Sequence, residues 1–396
     1  MFQYKDGRTT CSPSGSGDNA SGMDVQKSTA TRLSENRTVT GEEWNQARAL
    51  GRQVIRAVDD RAAIVSQRGL DAAFCLPAAN WGPDSPNDYL DAYRLLRPLD
   101  WNEVRHLRFR SQVFSGFNLL LMRRGAGLGS TLPVPSDLQI APEPPTSLIH
   151  HWERITRDLP DARIYRAPCA LGEIGWRIDD RIVNEDVLVY QERMTLLHET
   201  GVLDWLQRLG RPPRILEIGA GYGALAYAIT SALPKCQYTI CDLPESLLFS
   251  GLYLKIAGQR RVTLFPERAT TLQRLFPRLV SSVKQPGAIE LVPNYLFGDL
   301  VDARRSYDLV INVLSMSEMS EHQIETYGRG IAALIGQNGM FFEQNQNNKH
   351  MPGLTYAADV LNNVLEFRQA ITTDIPLTQG TPSIWACNDP AARLKG

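Results

Sequence analysis

Leu216-Glu217-Ile218-Gly219-Ala220-Gly221-Tyr222-Gly223 is the stretch on which the fold turns. The apolar run Arg214 to Ile218 before it reads as a strand, and Ala224 to Leu233 after it as a helix stopped by Pro234. Three glycines at alternate positions between a strand and a helix let the backbone approach a ligand closely and aim helix N-terminal N–H groups at it. Working outward, Gln237 to Cys241 predicts a second strand, Glu245 to Ala257 a helix and Ala288 to Val292 a third strand. A fourth strand follows at Tyr307 to Leu314, then a helix at Glu321 to Ile335 and a strand at Met340 to Glu343 after the Asn338-Gly339 turn. Strands spaced by helices of this length are βαβ units, hence a parallel sheet with right-handed crossovers. A helix at Tyr356 to Leu365 and strands near Ala370 to Ile375 and Ser383 to Cys387 predict an antiparallel C-terminal hairpin. The fold class is α/β, Rossmann-like and mostly parallel.

Two cofactor classes use such a turn. Gly219, Gly221 and Ala224 satisfy the loose dinucleotide fingerprint. Glu217, two residues before the first glycine, separates the classes: a carboxylate gains nothing beside two phosphates, whereas S-adenosylmethionine brings an ammonium and a sulfonium and no phosphate. Asp242 ends the second strand about 25 residues further on, where a carboxylate accepts both ribose hydroxyls. The pair points to S-adenosylmethionine held by Glu217, Gly219, Ala220, Gly221, Gly223, Asp242 and Leu243, with a dinucleotide enzyme as the alternative. Asp299 is placed near the adenine, with a plain loop aspartate as the other reading.

The three blocks LEIGAGYGALAYAI, CDLPESLLFSGLYL and YDLVINVLSMSEMSEHQIETY resemble the bacterial sugar O-methyltransferase family over roughly residues 184 to 350. The resemblance implies a class I methyltransferase fold and a sugar hydroxyl as acceptor.

The remaining sequence sets bounds. Of 396 residues 43% are hydrophobic and 21% charged, and the net charge of −1 argues against a nucleic-acid partner, which needs a Lys/Arg excess. Six scattered cysteines without C-x-x-C pairs or zinc-ligand spacing read as reduced cytosolic thiols, and no metal site is expected. No apolar run approaches the roughly 20 residues of a membrane-spanning helix, so the expected location is the cytoplasm. Residues 1–39 read as a disordered tail. Thr40 with Glu43 forms a capping box that opens a long amphipathic helix carrying Trp44, Ala47, Leu50, Val54 and Val58. Further helices are expected at Asp88 to Leu96, Trp101 to Met122, Ser147 to Asp158 and Asn184 to Leu209, with a Pro-rich connector at Leu132 to Pro145. Residues 40–209 thus form a mainly helical accessory region, lid and acceptor wall with a possible homodimer contact, and 210–396 the cofactor-binding domain.

Methyl transfer to a hydroxyl needs a base for its proton. The crevice of an open parallel sheet lies beyond the strand C-termini. Glu318, after strand four, is the first candidate, with local backbone support as the alternative. Glu343 and His198 are the others. His322, in a first helical turn, reads as surface. His150-His151-Trp152 offers an aromatic face or interdomain packing, and Arg105, Arg108, Arg110, Arg123 and Arg124 a phosphate grip or a solvated face. An acceptor that is a non-sugar phenol or amine, and a non-catalytic binding protein, remain open.

Overall fold

The computed structural model describes residues 37–77, 81, 89–111, 114, 144–258, 260–265 and 287–394. Most of the expected tail, Arg123, Arg124 and most of the Pro-rich connector lie outside the described residues.

The first half is helical. It supplies α1 (Gly41–Arg68), α2 (Ala72–Cys75), α3 (Tyr89–Leu96), α4 (Trp101–Val104), α5 (Leu107–Arg110) and α6 (Thr146–Thr156). A small hairpin of β1 (Trp176–Ile178) and β2 (Arg181–Val183) follows, then α7 (Glu185–Glu199) and α8 (Val202–Arg208). Both arms of the Thr40/Glu43 capping box are present at the start of α1, and Gly69 ends it in the left-handed conformation at φ 60°. The expected helix from Trp101 is broken at Arg105-His106, and the one from Asn184 is split at Gly201, whose φ of 75° no continuing helix accepts.

The second half builds β3 (Arg214–Ile218), α9 (Ala224–Ala232), β4 (Gln237–Asp242), α10 (Pro244–Ile256), β5 (Arg261–Leu264) and β6 (Ala288–Pro293). It continues with α11 (Phe297–Asp302), β7 (Leu309–Val313), α12 (Glu321–Ile335), β8 (Met340–Asn345), α13 (Ala357–Leu361), β9 (Phe367–Ala370) and β10 (Thr381–Ala386). One eight-stranded sheet runs in the order β5-β6-β4-β3-β7-β8-β10-β9. Every pair from β5 to β8 is parallel; β10 pairs antiparallel with both β8 and β9, so β10 alone runs against the other strands. This is the doubly wound, mostly parallel α/β sheet of Rossmann-like type, with its C-terminal hairpin. The edge strand β5 is the addition that periodicity did not announce, since only Val262 of its four residues is buried.

The two sheet faces carry separate cores. Ile215 and Ile240 pack with Leu50 of α1, Trp152 of α6 and Leu188 of α7. Leu216, Ile218 and Phe341 pack with Phe297, Tyr327 and Trp385. Helix α10 is apolar around most of its circumference because α1 lies along its outer side. Arg37 bonds the carbonyl of Ile256 beyond the start of α1, and Arg61 near its other end pairs with Glu245 at 2.7 Å, so the two helices run antiparallel. No described helix is long and apolar enough to cross a membrane.

Candidate active site

Because β3, β4, β6, β7 and β8 are parallel, their C-terminal ends share one edge, and the glycine turn opens there. Gly219, Gly221 and Gly223 have φ of 74°, 56° and 90°, conformations that side-chain-bearing residues rarely adopt. A Cβ on Gly219 would stand 2.1 Å from the Ser315 hydroxyl, so this position admits nothing larger. The turn is tied to the next strand twice: the Gly219 N–H donates to the Cys241 carbonyl at 2.9 Å, and the Gly221 N–H to Asp242 Oδ2 at 3.1 Å. Asp242 Oδ1 accepts the Leu243 N–H at 2.7 Å, and Ala220 is buried beneath the turn.

Both carboxylates of the sequence signature lie here and both hold protons tightly. Burial pushes Asp242 up to about 7, against the pull of the Leu243 and Gly221 N–H groups. It pushes Glu217 up to about 8; the Tyr238 hydroxyl, donating at 2.8 Å, opposes that rise and the charge of Asp242 adds to it. Two desolvated carboxyl groups beside a glycine turn are suited to hydroxyl donors and to a cationic group, whose arrival would favour their ionised forms. The residues present therefore fit S-adenosylmethionine.

The loop after β7 forms the opposite wall. Asn312 reaches from β7 to the Ile218 carbonyl at 2.9 Å and to the Ser315 hydroxyl, locking loop and turn together. Leu314 is held at φ 64°, a strained conformation that bends the chain back so that Ser315 to Glu318 lines the crevice. One oxygen of Glu318 accepts the indole N–H of Trp81. Burial raises the proton affinity of Glu318, and that N–H partly offsets the rise. Glu343, on β8, has no exposed surface; it accepts from Asn345 at 2.9 Å, and Asn345 in turn accepts the Ser317 N–H at 3.2 Å. It stands behind the loop and braces it.

The other candidates are elsewhere. His198 lies twelve residues beyond Asp186 on α7, about 18 Å along the helix axis, where it bonds Arg163. Asp186 bonds Tyr222 of the glycine turn, so His198 stands well away from that turn. Asp299 is bound to Arg68 at the end of α1 and ties α11 to that helix. β6 ends at Pro293, the register partner of Asp242, and the next residue, Asn294, donates to the Cys75 carbonyl at 3.0 Å while its own oxygen is buried with no partner among the described residues. His322 meets Asp71 at the surface, and Trp152 is in the core. The described arginines are no phosphate grip: Arg108 is buried against Glu173 and Asp186, Arg110 pairs with Glu103, and Arg105 donates to His106. Among the described residues no three His, Cys, Asp or Glu side chains cluster as metal ligands.

Sequence reasoning missed what supports the turn. The Tyr222 hydroxyl donates to Asp186, and the Arg108 guanidinium lies 3.9 Å over the Tyr222 ring and pairs with the same carboxylate. Tyr222 also belongs to a closed ring of contacts with Tyr190, Tyr165, Tyr227 and Tyr253, edge-on except for the tilted Tyr165–Tyr190 pair. The only signal in the sequence was Tyr222 itself, a large ring among glycines.

No protein-family model and no curated protein matches the chain. Solved structures do. One is an O-methyltransferase family protein from Burkholderia thailandensis, 12% identical over 51% of this chain, with a TM-score of 0.30; the chain spans 60% of its length. Another is the magnesium protoporphyrin IX methyltransferase of Synechocystis with bound S-adenosylmethionine, 15% identical over 61% of this chain and 91% of that one, TM-score 0.27. A third is the N-methyltransferase NodS from Bradyrhizobium japonicum in complex with S-adenosyl-L-homocysteine, 13% identical over 49% and 86%, TM-score 0.29.

Proposed function

We propose that this chain is an S-adenosylmethionine-dependent O-methyltransferase acting on a hydroxyl of a sugar or sugar-bearing small molecule. The observation that carries the reading is the seating of Asp242 across the glycine turn, on the Gly221 N–H, with the desolvated Glu217 two residues before that turn. When bound, S-adenosylmethionine supplies a methyl group on a sulfonium, already electrophilic. The protein's task is then alignment, exclusion of water and removal of one proton. Asp242 accepts the ribose hydroxyls, and the glycine turn gives the cofactor room. Glu318 takes the acceptor's proton through the oxygen that Trp81 does not hold. Trp81, Phe114, Tyr89 and Phe249 pack ring against ring beside the turn. Such a wall suits the C–H face of a sugar, and it equally favours a second reading in which the acceptor is a flat phenol.

Calorimetry with S-adenosylmethionine, its demethylated product and NAD tests the cofactor; binding of NAD alone would overturn the assignment. Transfer of isotope-labelled methyl onto glycosides and their aglycones separates the two acceptor readings, and no labelled product from any acceptor would favour a binding protein. Asp242→Ala lowers S-adenosylmethionine affinity by about 10- to 100-fold through loss of charge-assisted hydrogen bonds, whereas Asp299→Ala leaves it within about twofold. Equal losses would place the ribose wrongly.

The raised carboxyls also set a pH dependence. Their ordinary values are 3.8 for Asp242 and 4.5 for Glu217, and both are higher in the folded chain. Between those limits the folded state holds protons that the unfolded state has lost, so stability of the ligand-free protein falls as pH rises from about 4 to 8. Cofactor affinity moves the other way, rising as pH rises through about 7, because the ribose needs ionised Asp242. Calorimetry near pH 6 in buffers of different ionisation heat then reads proton release on binding; a dissociation constant flat across that range would be inconsistent with Asp242 as the ribose ligand.

A further inference from the structure

Trp81 is separated from Glu318 by 237 residues and has no part in the glycine turn, yet among the described residues its indole N–H is the one donor to the Glu318 carboxylate. The indole is fixed from two sides. Its plane stacks on Phe114 at 6.0 Å with an interplanar angle of 13°, and it meets Tyr89 edge-on at 4.9 Å. Phe114 is itself seated: it packs edge-on against Phe249 of α10 at 4.9 Å, and its Cβ stands 3.0 Å from where a Gly221 Cβ would be. Tyr89 is buried on α3 and its hydroxyl accepts from Ser246 at 3.4 Å. An indole so packed has little freedom to leave the carboxylate. Among the described residues no charged side chain acts on Glu318; Ser315, Ser317, Asn345 and Asn348 around its loop are neutral. The state of this carboxyl is therefore set by burial and by one neutral donor.

We propose that Trp81 is a positioning residue of the methyl-transfer reaction: its N–H holds one Glu318 oxygen so that the other faces the acceptor hydroxyl. This rests on the reading of Glu318 as the base. The indole also favours the ionised carboxylate that accepts a proton, in a place where burial alone would favour the neutral acid. A ring without an N–H fills the same space and loses that effect, which makes Trp81→Phe the informative substitution.

The full chain carrying Trp81→Phe, Glu318→Gln, or both is compared with wild type. The first readout needs no acceptor: the tryptophan fluorescence that Trp81→Phe removes is followed from pH 4 to 9. In wild type that component titrates with Glu318, at a pH above the ordinary glutamate range, and in Glu318→Gln it is flat. A component that does not titrate in wild type, or still titrates in Glu318→Gln, overturns the proposal. The second readout is labelled-methyl turnover with the acceptor found in the glycoside screen. Trp81→Phe lowers kcat by roughly 10-fold at neutral pH, leaves KM within about twofold, and moves the acid limb of the pH profile upward. Added to Glu318→Gln it costs nothing more, because the two residues act as one unit. Glu318→Gln at wild-type turnover sinks the base assignment itself. Glu318→Gln inactive with Trp81→Phe unchanged in kcat and pH profile sinks the role of Trp81 alone. S-adenosylmethionine affinity, measured beside these, stays unchanged in every variant if the glycine turn is intact.

Discussion

Replacing Glu318 with glutamine lowers methyl turnover by about 100- to 10,000-fold at saturating acceptor, the range over which a positioned general base contributes. The substitution keeps size, the Trp81 contact and the loop, and removes only the capacity to take a proton. Single-turnover transfer of labelled methyl reads the chemical step directly, and calorimetry run alongside shows cofactor binding intact. A sugar hydroxyl is a poor nucleophile at neutral pH, so the loss is largest for an alcohol acceptor. A phenol, already partly ionised, loses far less, and the size of the effect thus reports the acceptor class. Full turnover on an alcohol would remove Glu318 from the mechanism and return the question to the neutral groups of the same loop.

The second large effect concerns stability. Arg108 is 1% exposed, lies 2.6 Å from Glu173 and also holds Asp186. Arg108→Met leaves two buried carboxylates without a counter-charge, a change that costs about 3–5 kcal/mol in such pairs out of the roughly 5–15 kcal/mol that hold a domain folded. The urea midpoint falls accordingly. Removing the stranded charge as well, with Asp186→Asn and Glu173→Gln, recovers a large part of the loss, since the penalty is the unpaired carboxylates and not the missing bonds. Arg108→Lys does not substitute, because an ammonium cannot serve two carboxylates and lie flat on a ring together. An unchanged midpoint in Arg108→Met would mean that the cluster takes in water and that burial is not its controlling feature.

The parallel core was legible because its signals are local. Ile218-Gly219 marks a strand end, Asn338-Gly339 a turn, and the helix from Glu321 to Ile335 and the capping box at Thr40 and Glu43 were anticipated residue for residue. Strand β5 escaped because four residues with one buried side chain make no period. In the candidate site, Glu217 and Asp242 could be picked out because each is a carboxylate at the C-terminal end of a strand beside the glycine turn, a purely local pattern. Arg108, Asp186 and Trp81 were not, because each matters through a partner far along the chain: 78 residues from Arg108 to Asp186 and 237 from Trp81 to Glu318. Spacing rules operate within one helix or one turn and carry no information on such pairings. Asn312 lay in view as a polar residue inside the apolar run Leu309 to Val313, and a buried polar side chain in a central strand is the kind of departure that marks a site. Asp299 and His198 were chosen for their chemistry alone, and in the folded chain each contacts an arginine that spacing did not announce, Arg68 and Arg163.

The pairing of α1 with α10 has a consequence for how the chain is made. A ribosome releases the last residue of α1 roughly 180 residues before the first of α10, an interval of about 9 to 35 s at ordinary rates of synthesis. Throughout it Leu50, Val54 and Ala57 have no α10 surface to cover them. The nascent protein thus carries a 28-residue amphipathic helix in search of an apolar groove, the state in which chaperones and wrong partners compete on equal terms. The opposite face of α1, with Arg48, Arg52 and Arg56 exposed, is charged and stays suited to water throughout that interval.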